Sequence, residues 1–114
     1  MSAATFNITV YKGANFRKTL SLTDADGNAF DLREYTNVRS ELRRHSTIED
    51  PAAIFDCNIL NDGSTGQIVW ELSAEDTAKL PLHDHYYDMY LYRIDGTVNI
   101  ILEGKVTVNA NITK

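Results

Sequence analysis

Period-two alternation of apolar and polar residues recurs along the whole chain, and it restricts the fold more than any other feature. Successive side chains of a strand point to opposite faces, so this pattern makes one apolar face and one wet face. Phe6, Ile8 and Val10 alternate with Asn7, Thr9 and Tyr11, and Phe16, Leu20 and Leu22 with Arg17, Thr19 and Ser21. Val38 and Leu42 share a face with Ser40, opposite Arg39, Glu41 and Arg43. Residues 54–60 read as one short strand with Phe55, Cys57 and Ile59 inward, and Ile68, Trp70 and Leu72 alternate with Val69 and Glu71. Tyr87, Met89 and Leu91 share one face, while Tyr86, Tyr90 and Tyr92 share the other. Val98, Ile100, Leu102, Val106 and Val108 then hold an even-numbered register that includes Gly104, where glycine signals a bulge or a close backbone approach.

The breaks between these runs are turn-like. Asp26-Gly27 and Asp95-Gly96 suit tight hairpin turns, and residues 62–66 (Asp-Gly-Ser-Thr-Gly) form another turn. Phe30 and Leu32 lead onward as a short strand or a crossing segment, and the polar stretch His45 to Pro51 reads as a loop. Ser73-Ala74-Glu75-Asp76 reads as a helix start, with Ser73 as cap and the acids at the positive end of the macrodipole. Pro81 limits that helix to a turn or two. Seven or eight short strands with no βαβ alternation predict an antiparallel, immunoglobulin-like β-sandwich with one short helix.

At 114 residues the chain is expected to form a single domain over 1–114. Its net charge of -5 argues against generic nucleic-acid binding, which needs cations to displace counterions from phosphate. Cys57 is the only cysteine, which excludes an internal disulfide and a thiolate metal cluster, and it is expected to be an inward, unreactive side chain. The opening Met1-Ser2-Ala3-Ala4 lacks the basic stretch and apolar run of a signal peptide, so export by the usual route is not expected. No apolar run approaches the roughly 20 residues of a membrane span, so no membrane partner is expected.

Few residues suggest chemistry. His83 and His85, two apart on a strand, would share a face and could ligate one metal, but no third ligand is evident; a polar turn entering a strand is the plainer reading. Asp24, Asp26 and Asn28 resemble the opening of a calcium loop, yet Gly27 is misplaced and the closing Glu is missing, which favours a hairpin turn. No serine sits in a nucleophile elbow, no Gly-rich loop opens a helix, and Glu71, Glu75, Asp76 and Asp88 form no identifiable pair. We therefore expect no catalytic residues, no metal and no cofactor. Protein-binding residues are better candidates. Tyr86, Tyr90 and Tyr92, with Tyr11 and Tyr35 elsewhere, exceed what a small core needs, and tyrosine is enriched at interfaces, although such rings also cover sheets or bond back to the chain. Arg39, Arg43, Arg44 and His45 form a basic cluster, read either as a solvated strand face or as a contact for an acidic partner.

The order of motifs carries a resemblance. A strand runs into residues 11–16 (Tyr-Lys-Gly-Ala-Asn-Phe), then residues 20–28 (Leu-Ser-Leu-Thr-Asp-Ala-Asp-Gly-Asn), Phe30-Asp31-Leu32 and a strand of Arg39 to Arg43. Later come residues 66–73 (Gly-Gln-Ile-Val-Trp-Glu-Leu-Ser), Thr77-Ala78-Lys79-Leu80, Tyr87-Asp88-Met89 and residues 102–108 (Leu-Glu-Gly-Lys-Val-Thr-Val). As an ordered set these resemble the immunoglobulin-like domains of tailed-bacteriophage virion proteins, similar to the N-terminal domain of the upper baseplate protein family. The resemblance implies a structural protein of the virion, made in the host cytoplasm. It would act as a tail or baseplate assembly or attachment domain through contacts with other virion proteins, in a homo-oligomer or symmetric assembly. A capsid decoration (cement) protein is the nearest alternative. A host-surface or carbohydrate-binding module is a third, since exposed tyrosines suit sugar stacking.

Overall fold

The computed structural model describes residues 4–44 and 51–110. Nine strands and one helix are found among them. The strands are β1 (Ala4–Thr5), β2 (Ile8–Tyr11), β3 (Phe16–Ser21), β4 (Tyr35–Arg43), β5 (Ala53–Ile54), β6 (Asp56–Ile59), β7 (Gln67–Leu72), β8 (His85–Arg93) and β9 (Val98–Asn109); the helix is α1 (Ala74–Ala78). The larger sheet has the order β1-β9-β8-β4-β5, with β2 also paired to β9, and the smaller sheet has the order β3-β7-β6.

The inner faces form one core. Ile8, Val10, Val38, Leu42, Tyr87, Met89, Leu91, Val106 and Val108 of the larger sheet meet Ile68, Trp70 and Leu72 of the smaller one. Trp70 is its centre: its ring lies 5.3 Å from Phe16, 4.9 Å from Phe55 and 4.8 Å from Tyr87, centroid to centroid. Those spacings fall in the range that aromatic pairs prefer.

The helix forms where expected and closes one end of the sandwich. The Ser73 Oγ accepts from the Asp76 N–H at 3.1 Å, and Thr77 is fully buried. The Thr77 hydroxyl donates to the Ala14 carbonyl at 2.8 Å and accepts from the Gly13 N–H at 3.1 Å. Lys12 Nζ donates to the Leu80 carbonyl at 2.7 Å, so the β2–β3 turn is strapped to the helix.

Several expectations are corrected. The sandwich is not antiparallel throughout: β1 and β2 run parallel to β9, in one register on both sides of a break at Phe6 and Asn7. Phe6 therefore lies outside both strands and is 36% exposed. Gly104 stands opposite this break as a site of close approach, because a Cβ there would lie 2.2 Å from the Phe6 carbonyl oxygen. The even register of β9 is broken, with a bulge at Ile101: Met89 pairs Leu102, but Tyr90 pairs Ile100. Ile101 turns inward, and Val98 and Ile100 turn outward. Residues 54–60 are not one strand either, since β5 pairs β4 in the larger sheet and β6 pairs β7 in the smaller one. The chain changes sheets at Phe55, which is buried in the core. Of the two readings of Phe30 and Leu32, the strand is not formed and the crossing segment is left: an isolated Thr23–Ala29 bridge closes the hairpin, and Leu32 plugs the core. Val69, expected on the wet face, is buried on the central strand of the smaller sheet. The loop expected from His45 lies outside the described residues up to Pro51.

Candidate protein-binding face

The outer face of the larger sheet carries the candidate residues, because alternation along β8 sends Tyr87, Met89 and Leu91 into the core and Tyr86, Tyr90 and Tyr92 outward. Register between strands sets the rest. Arg43, Tyr86 and Lys105 lie across β4, β8 and β9 as one row, and Glu41, Asp88 and Glu103 form the next. Arg39, Tyr90 and Ile100 follow, then Asn37, Tyr92 and Val98. The face is thus banded: cationic, acidic, then increasingly apolar. Tyr86 is 48% exposed, Val98 49% and Ile100 37%. The β9 bulge supplies the last two, which alternation alone had assigned to the core.

Arg39 and Arg43 both reach Glu41, at 3.3 Å and 2.6 Å, so the basic cluster is neutralised locally rather than assembled into one patch. Arg44 is exposed just past the end of β4, and His45 lies outside the described residues. Lys105 pairs with Asp84 at 3.0 Å. The Tyr90 hydroxyl lies beside the Asp88 carboxylate and favours its charged form. A shallow depression of about 1030 Å³ lies over the acidic row and is bordered by Tyr86 and Lys105.

Three carboxylates directly opposite one another on adjacent strands repel. Burial first, then the charges of Glu41 and Glu103, hold the Asp88 carboxyl above its ordinary value. A carboxyl raised in the folded state binds more protons folded than unfolded between the two values. The stability it contributes is present at low pH and is lost as pH rises through the folded value. Asp88→Asn, which keeps an acceptor for Tyr90, is therefore expected to stabilise the dilute protein at pH 7 by about 0.5 kcal/mol. That gain should vanish in acid. Thermal melts of both proteins at pH 7 and pH 3 check it, and an equal or lower midpoint for the variant at pH 7 would rule it out.

The two histidines do not converge on a metal. His83 precedes β8 and is exposed, whereas His85 is fully buried on the inner face, cross-strand from Val106. The His83 backbone carbonyl lies 2.8 Å from His85 Nδ1, and among the described residues His85 Nε2 is buried without a hydrogen-bond partner. Sequence reasoning missed this burial, although His85 falls in the odd-numbered register of Tyr87. Burial pushes the His85 imidazole below its ordinary value. The unfolded chain then binds more protons than the folded one between those values, so stability falls as pH drops through about 6.5, the ordinary histidine value. Urea melts from pH 7.5 to pH 5 should show this loss, and His85→Leu should flatten it; an unchanged pH profile in the variant would remove His85 as the cause.

The other candidates are structural. The Asp24 carboxylate accepts from the N–H groups of Asp26 and Asn28 at 2.9 and 3.0 Å, which makes the expected turn. Cys57 packs against the core, and burial pushes its thiol up to about 12, far from a reactive thiolate. Among the described residues no group of three His, Cys, Asp or Glu could hold a metal ion, and no helix is long and apolar enough to cross a membrane.

No protein-family model and no curated protein matches the chain. Among solved structures, the SrpA adhesin of Streptococcus sanguinis is similar at a TM-score of 0.50 and 12% identity, over 91% of this chain and 55% of that one. The chain therefore spans about half the length of that adhesin. Fibronectin(III)-like modules of Clostridium thermocellum CbhA align over 96% of this chain and 93% of theirs, with a TM-score of 0.48 and 12% identity. Two packed sheets, a short capped helix and the likeness in fold to the adhesin make this chain an immunoglobulin-like β-sandwich.

Proposed function

We propose that the chain is a non-catalytic protein-docking domain of a tailed-phage virion, serving tail or baseplate assembly. It acts through the outer face of its larger sheet. The observation that carries the docking role is the exposure of Tyr86, Ile100 and Val98 beside Tyr90 and Tyr92 on one face of the larger sheet. Aromatic and aliphatic groups so placed give contact area at little entropic cost, and charged rows beside them set register with a partner. The virion assignment is supported by the ordered motifs quoted above.

Mass spectrometry of particles purified from the source culture tests the assignment. The chain is expected in intact particles at a fixed copy number, and its absence from them would overturn the virion reading. Tyr86→Ala with Tyr90→Ala should keep the fold, by circular dichroism, yet fail to enter particles. Incorporation of that variant at the native level would overturn the choice of face.

A further inference from the structure

The banding of the outer face points to its occupant. A polycation would meet the Arg43–Lys105 row, and a polyanion would meet the Glu41–Asp88–Glu103 row one step along the strands. A matching surface must itself carry adjacent rows of opposite charge, and this chain carries such a surface. We propose that a second copy of this chain docks here face to face, about a two-fold axis that crosses the strands between the Tyr86 and Asp88 rows. The proposal rests on the docking role given above and names the partner.

The geometry of that axis is specific. It passes at the level of Leu42, Tyr87 and Gly104. Leu42 and Tyr87 are buried in the core, and Gly104 has no side chain, so none of the three stands between the two faces. Reversing strand direction about it brings Arg43 over the partner's Glu41, Lys105 over the partner's Glu103, and Tyr86 over the partner's Asp88. Asp84 comes over the partner's Tyr90 row, which includes Arg39. Each contact occurs twice, as an isologous interface requires. Glu103 makes no ion pair among the described residues, so it gains most from the facing lysine. About this axis β4, β8, β9 and the β1–β2 edge, about 4.8 Å apart, overlap by some five to ten residues each and cover roughly 400 Å² per copy. An interface of roughly 800 Å² in total belongs to weak association, so a dissociation constant of about 0.1–1 mM is expected.

Sedimentation velocity from about 10 µM to about 1 mM tests this on the whole chain. Dimerisation in that range that weakens several-fold between about 0.05 M and 0.5 M salt is expected. Lys105→Glu and Glu103→Lys, both at exposed positions, should each weaken self-association at least tenfold by setting like charges face to face. Mixed in equal amounts, the two variants should form a heterodimer at least as tight as the native dimer. In that pair the introduced carboxylate of one copy faces the introduced ammonium of the other, and the unaltered Lys105 and Glu103 still face each other. A native chain that stays monomeric at about 1 mM overturns the proposal, and so does a mixture that fails to associate. Either result leaves the particle-content experiment untouched, so a failure of this pairing is separable from a failure of the virion reading.

Discussion

Trp70→Ala is expected to destabilise the domain by roughly 3–5 kcal/mol and to lower its thermal midpoint by more than about 10 °C. The indole is fully buried and touches three other rings, from β3, from the sheet-changing segment at Phe55, and from β8. Its removal opens a void between the sheets. The Phe55 ring also holds the point where the chain leaves one sheet for the other, so the void loosens that crossing. A stability of about 5–15 kcal/mol is usual for domains, which makes this loss a large share of the whole. Trp70→Phe separates packing from polarity. The indole N–H is buried without an acceptor, so replacing it removes an unsatisfied donor while keeping a ring. It should cost less than half of what alanine does. Urea melts of both variants measure the difference. Equal losses would show that ring packing is not what Trp70 contributes.

The same residues show how far alternation reaches as a guide to structure. It assigned Trp70 and the two faces of β8 correctly because both strands keep an unbroken parity, and it placed the Ser73 cap because capping chemistry is local. It failed at β9 because Ile100, Ile101 and Leu102 are all apolar, so a bulge leaves no mark on the pattern. It failed at Phe55 for the same reason: Ile54 and Phe55 fit a strand in either sheet. Parity also says nothing of direction, and the parallel pairing of β1 and β2 with the far end of the chain had no local signal. The candidate face was legible as a tyrosine stripe. Its charge rows were not, because they depend on the register among β4, β8 and β9, and the bulge and turns set that register.

Gly104→Ala is expected to cost about 2–4 kcal/mol, although it adds only one methyl group to an extended strand. The reason is the backbone facing it. A Cβ at Gly104 would stand 2.2 Å from the Phe6 carbonyl oxygen and 2.8 Å from its carbon, and backbone cannot rotate aside as a side chain would. The edge would have to move away by about an ångström to reach ordinary contact. Three hydrogen bonds cross at this point: Phe6 N–H to the Glu103 carbonyl at 2.9 Å, Lys105 N–H to Asn7 Oδ1 at 3.0 Å, and the Tyr87 hydroxyl to the Phe6 carbonyl at 2.5 Å. Tyr87 belongs to the core, where burial pushes its phenol up to about 12, so displacing Phe6 strands a hydroxyl with little access to water. The damage should stay on one edge, since β9 lies between that edge and β8. Hydrogen exchange should therefore quicken at the amides of β2 and Phe6 well before it quickens in β8. Tyr87→Phe provides the comparison: it removes one hydrogen bond without moving the edge and should cost only about 1 kcal/mol. If Gly104→Ala melts within about 0.5 kcal/mol of the native chain, the close approach at Phe6 is not what requires glycine there.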